Sequence, residues 1–150
     1  MTLKILNHEI IGKIDKLDEK LEGKLPITRE ELLVLVNSWG REQDFKFIYD
    51  NQTINFISIK KSKPKECYDL SRLDTSKIKN MNCLFIYSNF NGDISNWDTS
   101  NVTSMNSMFY KTKKFNNDIS KWNTSKVIDM HKMFCFTKKF NQDIGNWDVS

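Results

Sequence analysis

Three aspartates recur at one position of an internal repeat, and their spacing is the feature of this chain best suited to metal binding. Asp93, Asp118 and Asp143 each follow Phe-Asn-x and precede Ile, at equal intervals along the chain. Stacked copies would place like charges side by side, which is destabilising unless a cation or hydrogen bonds compensate. Because no glycine-rich calcium loop accompanies them, we expect no metal: each carboxylate should accept hydrogen bonds from N–H groups of its own turn.

Five lysines recur in the same way and form the best candidate binding surface. The stretch "KTKKF" contains Lys111, Lys113 and Lys114, and "FTKKF" places Lys138 and Lys139 at matching positions one repeat later. Stacking would gather them into one basic surface, called the lysine ridge below, which suits an acidic protein or a phosphate backbone. The alternative interpretation is a solvated loop whose charge only keeps the protein soluble.

Residues for catalysis or metal binding are sparse. The two histidines, His8 and His131, have no motif partner. The odd number of cysteines and the lack of a CxxC pair argue against a disulfide framework and a zinc site. Nucleophile elbows, phosphate-binding glycine loops and HExxH are absent from the sequence. We therefore expect no enzyme activity, no catalytic residues and no cofactor.

Charge and composition narrow the choice of partner. The chain has 150 residues and a net charge of +4, and residues 76–150, with 10 basic and 6 acidic side chains, account for the whole excess. Arginine, the preferred reader of phosphates and bases, occurs only as Arg29, Arg41 and Arg72. An acidic protein is therefore favoured over nucleic acid. The sequence shows no export signal and no membrane span, which predicts a cytoplasmic location, or the cell surface if the chain is a fragment.

Residues 1–65 are predicted to form a helix–helix–hairpin cap. An apolar stripe from Leu3 to Leu21 predicts a first helix, which either docks on the domain or forms a short dimeric coiled coil. Thr28 and Glu31 make a capping box for a second helix that ends at Gly40. The aromatic- and isoleucine-rich stretch 45–60, with Asp50-Asn51 in its middle, predicts a β-hairpin.

Residues 66–150 are predicted to contain the repeats: 66–89, 90–114, 115–139 and a partial copy, 140–150. "FNGDISNWDTSNVTSMNSMF" (90–109) returns as "FNNDISKWNTSKVIDMHKMF" (115–134), and "FNQDIGNWDVS" begins a third copy. Each copy is expected to supply one short parallel strand at "DISNW" and one short helix over 102–109 or its equivalent. The predicted repeat core comprises Trp97, Trp122, Trp147, Ile94, Ile119, Ile144, Met105, Met108, Phe109, Met130, Met133 and Phe134.

The pattern F-N-x-D-I-S-x-W-D-x-S-x-V-x-x-M-x-x-M-F resembles the repeat of BspA-like leucine-rich-repeat bacterial surface proteins, the DUF285 family. The resemblance covers residues 69–150, with Trp, Asp, Met and Phe at fixed offsets. It implies a leucine-rich-repeat-like solenoid, a role in protein binding or adhesion, and no catalytic residues. The chain differs over residues 1–65, in lacking a visible export signal, and in ending inside a repeat.

The sequence thus predicts an α/β repeat fold: a short solenoid with an N-terminal cap. Its predicted function is non-catalytic binding of a protein partner with an acidic surface, through the solenoid face and the lysine ridge. A narrower hypothesis is a small intracellular, phage-type inhibitor of a host nucleic-acid-handling enzyme. The alternatives are a fragment of a bacterial surface adhesin and a direct nucleic-acid binder. A homodimer through the N-terminal helix or the open C-terminal end is also considered.

Overall fold

The described part of the chain is a mix of helix and strand. A computed structural model describes residues 10, 12–13, 23–42, 45–49, 52–56 and 67–149. Within these ranges, the elements with defined bounds are helix α1 (Arg29–Asn37) and strands β1 (Leu25–Pro26), β2 (Phe45–Tyr49), β3 (Gln52–Phe56) and β4 (Leu73–Asp74). Strand β1 pairs in parallel with β4, which ties the N-terminal part to the repeats. The predicted helix from Leu3 to Leu21 lies almost entirely outside the described residues.

Helix α1 begins where the capping box predicts. The Thr28 hydroxyl accepts from the Glu31 N–H at 3.2 Å, and the Glu31 carboxylate accepts from the Thr28 N–H at 3.2 Å. Both bonds satisfy N–H groups that the first helical turn leaves without a partner. The helix ends at Asn37, and Gly40 follows with a φ of +83°. The prediction of this helix is therefore confirmed.

The predicted hairpin is also confirmed. Strands β2 and β3 are antiparallel, with Phe45 opposite Phe56 and Tyr49 opposite Gln52. Asp50 and Asn51, the predicted turn residues, lie outside the described part. Strand β3 is described to Phe56, and residues 57–60 of the predicted hairpin lie outside the described part.

The predicted short helix in each repeat is wrong, because the backbone forms successive turns there. Over 105–112 the chain makes turns such as the one closed by the Met108 N–H on the Met105 carbonyl, at 3.2 Å. Ser107 and Lys111 have φ of +54° and +53°. This left-handed conformation interrupts an α-helix of L-residues. The spacing of the apolar side chains fits one buried face in either conformation, so it did not distinguish a helix from repeated turns.

The parallel pairing also lies elsewhere in the repeat than predicted. No strand is assigned to "DISNW" or "DISKW", although both segments are fully described. Instead, isolated parallel bridges join Asn80 to Ser104 and Ser104 to Asp129. The physical reason is visible at Asp93, whose carboxylate accepts from the Ser95 N–H at 2.9 Å and folds the segment into a turn.

Two rows of backbone hydrogen bonds join consecutive repeats, and the bonds within both rows have the same direction. Two further bonds run the opposite way, from the Thr103 N–H to the Lys79 carbonyl and from the Ile128 N–H to the Thr103 carbonyl. Alternate N–H groups of one repeat donate to carbonyls of the following repeat, at 2.8–3.0 Å. In the first row the N–H groups of residues 81, 83, 85 and 87 donate to the carbonyls of 104, 106, 108 and 110; in the second, those of 105, 107, 109 and 111 donate to 129, 131, 133 and 135. Each repeat therefore offers a donor row to the copy after it and an acceptor row to the copy before it.

Aromatic rings continue this order into the core. The rings of Trp97, Trp122 and Trp147 are nearly parallel, with centroids 6.2 Å apart at each step. Each indole N–H donates to a carbonyl about one repeat earlier, at 2.8–3.0 Å. Phe109 lies between Phe85 and Phe134 in a second stack, at 5.2 and 5.6 Å.

Burial of the predicted repeat core decreases toward the last copy. Ile94, Ile119, Met105, Met108, Phe109, Met133 and the three repeat tryptophans are buried, whereas Met130, Phe134 and Ile144 are only partly buried. The partly buried members all belong to the last copies, where no following repeat covers them within the described residues.

Candidate protein-binding surface

The lysine ridge is a real surface feature, but its members are not equivalent. Lys113, Lys114, Lys138 and Lys139 are exposed, and Lys111 is half-buried. The turns between repeats position them: Lys111 has φ of +53°, and the Thr112 hydroxyl that follows it donates to the Phe85 carbonyl at 2.6 Å. The backbone on which the ridge lies is therefore anchored to the preceding repeat.

Lys111 is held against aromatic rings. Its Nζ lies 5.8 Å from the ring centroid of Tyr87, 5.6 Å from that of Tyr110 and 5.6 Å from that of Phe136. A cation at this distance from a ring face is attracted by the ring quadrupole. Tyr87, Lys111 and Phe136 occupy equivalent positions in three repeats, all with positive φ. Lys111 thus contributes charge from a fixed position, and the rings give the ridge an apolar component.

Lys113 is paired within the chain. Its Nζ lies 3.3 Å from a carboxylate oxygen of Glu42, and the two side chains are 48% and 42% exposed. Exposed pairs of this kind contribute little to stability and are screened by salt. A partner carboxylate therefore meets little resistance in replacing Glu42. By contrast, Lys114, Lys138 and Lys139 make no hydrogen bond or ion pair within the described part of the chain.

A shallow groove of about 260 Å³ lies along these side chains. Its lining combines three lysines with two rings and one carboxylate: Lys111, Lys113, Lys138, Tyr87, Phe136 and Glu42. The volume is at the small end for a pocket that encloses a metabolite. The groove is instead of a size to take one or two acidic or apolar side chains from the surface of another protein.

The aspartates at the repeated position support turns. Each carboxylate accepts from the N–H two residues ahead, at 2.9 Å in all three copies. Hydrogen bonds from the Ser95 hydroxyl and N–H lower the pKa of Asp93, and Ser120 lowers the pKa of Asp118 in the same way. Among the described residues, no group of three or more His, Cys, Asp or Glu side chains is arranged to hold a metal ion.

Two buried arginines are the residues that sequence reasoning missed. Arg29 donates to the carbonyls of Asn80 and Asn82 at 2.7 and 2.6 Å. Arg41 donates to those of Ile86 and Leu84 at 2.7 and 3.0 Å. These four carbonyls are equivalent to the carbonyls that, in the later repeats, accept hydrogen bonds from the preceding repeat. We call Arg29 and Arg41 the arginine cap.

Arg41 of the arginine cap remains charged at neutral pH. Burial lowers the pKa of Arg41 to about 9, which still leaves the guanidinium protonated at pH 7. A guanidinium carries several N–H donors in a fixed plane, so one side chain satisfies two neighbouring carbonyls. The sequence held a signal for this role: in a lysine-rich chain, two of three arginines lie at either end of one helix, Arg29 as its first residue and Arg41 just beyond its end.

The comparisons with known proteins agree with the repeat pattern. No helix among the described residues has the length and apolar character needed to cross a membrane. Comparison with curated proteins and with solved structures gave no match. Residues 54–150, which are 97 of the 150 residues, match the family described as "Mycoplasma protein of unknown function, DUF285". The chain therefore belongs to the DUF285 family, with which the BspA-like repeat pattern is consistent.

Proposed function

We propose that this protein is a non-catalytic protein-binding module, built as a short leucine-rich-repeat-like solenoid, whose lysine ridge binds an acidic surface of another protein. The observation that carries the proposal is the groove in which side chains of three consecutive repeats converge: Tyr87, Lys111 with Lys113, and Phe136 with Lys138. Aromatic and cationic groups in one place supply both contact area and charge for an acidic partner.

The solenoid part of the proposal is supported by the regularity of the contacts between repeats. The hydrogen-bond rows recur with the same donors and acceptors, and the tryptophan rings repeat at 6.2 Å. In such an array each unit contacts only its neighbours and side chains at one position form a continuous surface. In that geometry the variable residues between the recurring positions form a continuous face, which can bind a partner without catalysing a reaction.

The charge of the ridge favours an acidic protein over a nucleic acid. Lysine is a compact point charge, whereas planar contacts to phosphates and bases favour arginine. Arg29 and Arg41 are buried and bonded to backbone carbonyls, so they do not face a ligand. The adhesin alternative retains the same binding face and differs in location. The narrower hypothesis, an intracellular phage-type inhibitor that occupies a nucleic-acid channel, requires this same basic surface.

The test is a capture experiment with two charge-matched variants. The ridge variant carries Lys113→Glu, Lys114→Glu, Lys138→Glu and Lys139→Glu. The control carries the same change at four exposed lysines elsewhere on the repeats: Lys77, Lys79, Lys121 and Lys126. Both variants and the parent are immobilised and exposed to extract of the source cells, with and without nuclease treatment, and bound proteins are quantified by mass spectrometry at low and high salt.

The proposal expects an acidic protein that the parent and the control retain and the ridge variant loses, with binding weakened at high salt. Retention of every captured protein by the ridge variant would contradict it. If binding disappears only after nuclease treatment, the direct nucleic-acid binder is favoured instead. If a captured protein handles nucleic acids and loses activity when the parent is added, the inhibitor hypothesis gains its first support.

A further inference from the structure

A carboxylate from the N-terminal part of the chain reaches into the lysine ridge. The Glu42 carboxylate lies 3.3 Å from the Nζ of Lys113, although the two residues are 71 positions apart in the sequence. Lys138 holds the position of Lys113 one repeat later, and among the described residues it has no such partner. The pair is therefore not a property of the repeat, because a residue outside the repeats adds it to one copy.

The backbone holds Glu42 beside the groove. Its N–H donates to the Tyr87 carbonyl at 2.8 Å, and the neighbouring Arg41 forms an antiparallel bridge with Ser88. Arg41 is itself fully buried, whereas the Glu42 side chain is exposed. The place of Glu42 is thus set by backbone hydrogen bonds, and its side chain can rotate away from Lys113 without breaking them.

The fold gains little from this ion pair, but the binding surface changes because of it. Both side chains of the pair are open to solvent, so water and salt screen their attraction. Glu42 is also the one carboxylate among the described side chains that line the groove, next to three lysines. It neutralises one lysine and places a negative charge where an acidic partner approaches.

We propose that Glu42 is an internal competitor, whose carboxylate occupies the position on Lys113 that a carboxylate of the acidic partner takes on binding. This inference rests on the proposed function of the lysine ridge, and it adds the place of one partner group and a residue that limits affinity. The partner carboxylate replaces Glu42 on Lys113, and the Glu42 side chain turns into solvent. Like charges repel at this distance, so a partner must interact with Lys113 more favourably than Glu42 does.

The probe is a short oligoglutamate peptide with a fluorescent label, and an oligoglutamine peptide of the same length is its neutral control. Binding to the chain of 150 residues is measured by fluorescence anisotropy at low and high salt. Glu42→Gln removes the competing charge and keeps the size of the side chain. The ridge variant described above is tested in parallel.

Asp98→Asn is the matched control for the loss of one negative charge. Asp98 is exposed and does not line the groove. Its carboxylate accepts from the Ser100 N–H at 2.9 Å, and Asn123 makes the equivalent bond in the next repeat at 3.0 Å. Asparagine at position 98 therefore removes the charge and keeps the turn.

A double-mutant cycle separates an effect exerted on Lys113 from a general effect of charge. Lys113→Gln is made alone and together with Glu42→Gln. If Glu42 acts by occupying Lys113, Glu42→Gln strengthens binding in the parent and has little effect once Lys113 is replaced.

Glu42→Gln should bind oligoglutamate about two- to fivefold more tightly than the parent, which is the free energy of an exposed ion pair expressed as a ratio of affinities. The gain should shrink at high salt, because exposed charges are screened. Asp98→Asn should bind like the parent, and Glu42→Gln should bring no gain with oligoglutamine.

Two results would overturn the inference and leave the proposed function intact. The first is unchanged or weaker binding by Glu42→Gln, together with loss of binding by the ridge variant. The second is an equal gain with and without Lys113, which assigns the effect of Glu42 to its charge alone. Equal binding by the parent and the ridge variant is a different result: it contradicts the proposed function, and the inference falls with it.

Discussion

The two ends of the repeat region need opposite hydrogen-bond partners: the first end needs donors, and the last end needs acceptors. Within the described chain, only the first end has its backbone groups paired in this way. At the first end, the carbonyls of Asn80, Asn82, Leu84 and Ile86 accept hydrogen bonds from Arg29 and Arg41. At the last end, the equivalent position is a row of N–H groups that no described backbone carbonyl meets. The same backbone geometry thus produces an end that needs donors and an end that needs acceptors.

This difference shows how a directional array is closed. Buried carbonyls without donors are costly, so an array whose two main rows of hydrogen bonds have one direction requires donors at its first end. Two arginines replace four backbone N–H groups, since each guanidinium reaches two carbonyls. Helix α1 positions both of them. Arg29 is its first residue, and Arg41, which lies beyond its end, donates its Nε–H to the side chain of Asn37, the last helical residue, at 3.0 Å.

Removing one ring from the interior of the tryptophan stack should have the largest effect on stability. Trp122 contacts both Trp97 and Trp147, whereas Trp147 has a tryptophan neighbour on one side only. Trp122→Ala should lower the free energy of unfolding by about 4 kcal/mol, in the usual range for a buried tryptophan. Trp147→Ala should cost about half as much, because Trp147 is buried but stacks on a tryptophan on one side only. Urea denaturation followed by circular dichroism measures both values.

If the two tryptophan variants lose the same free energy of unfolding, the last repeat is as well covered as the interior. That result would contradict the difference between the two ends. A difference larger than expected would sharpen it, because it would indicate that the last repeat unfolds separately. In that case the denaturation curve of Trp147→Ala should keep the parent midpoint for the remaining repeats.

Breaking the arginine cap should have the next largest effect. Arg41→Met keeps much of the volume of a fully buried side chain but removes the donors to the Leu84 and Ile86 carbonyls, which then lack these partners. We expect a loss of about 3 kcal/mol, from two hydrogen bonds to a charged group at roughly 1.5 kcal/mol each. Arg72→Met is the matched control, because Arg72 donates to the Gly23 carbonyl at an exposed site.

The control should change the free energy of unfolding by less than about 1 kcal/mol, the usual range for exposed contacts. An Arg41→Met protein as stable as the parent would mean that hydrophobic packing offsets the two unpaired carbonyls, as happens when some buried ion pairs are replaced. The first end would then not depend on its cap, and the contrast between the two ends would lose its energetic basis.

Sequence alone predicted the elements whose signals are local. The capping box at Thr28 and Glu31 identifies a helix start, and the aromatic- and isoleucine-rich stretch around Asp50-Asn51 identifies a hairpin, each from neighbouring residues. The position of the repeat also followed from the recurring tryptophan and aspartate. In these cases the residues that predict an element are the same residues that form it.

The conformation inside each repeat was not predictable in the same way. Val102, Met105, Met108 and Phe109 are buried on one side whether the backbone is helical or a series of turns. The deciding contacts are N–H groups that bond to the next repeat, so they depend on a neighbour that is distant in sequence. The arginine cap was missed for the same reason: its acceptors lie far along the chain from helix α1, between Asn80 and Ile86.

The smallest expected effect on stability concerns a turn that recurs in successive repeats. Hydrogen bonds from the Ser100 hydroxyl and N–H lower the pKa of Asp98, so folding favours its ionised form. In the next repeat Asn123 takes the same position and accepts from the Ser125 N–H at 3.0 Å, close to the 2.9 Å at Asp98. Asp98→Asn should therefore preserve the turn, and at pH 7 its stability should remain within about 0.5 kcal/mol of the parent.

The effect of Asp98→Asn should appear only in acid. A carboxylate whose pKa is lowered by folding stabilises the protein above its unfolded pKa of about 3.9, and that contribution is lost as pH falls through the folded value. The parent should thus lose stability more steeply below pH 4 than Asp98→Asn, while Asn123→Asp should lose it more steeply than the parent. Denaturation midpoints measured between pH 2 and pH 7 test both directions. Identical acid slopes in all three proteins would mean that the charge at residues 98 and 123 does not affect the stability of these turns. The two ends of the repeat region would then differ only in the direction of their hydrogen bonds.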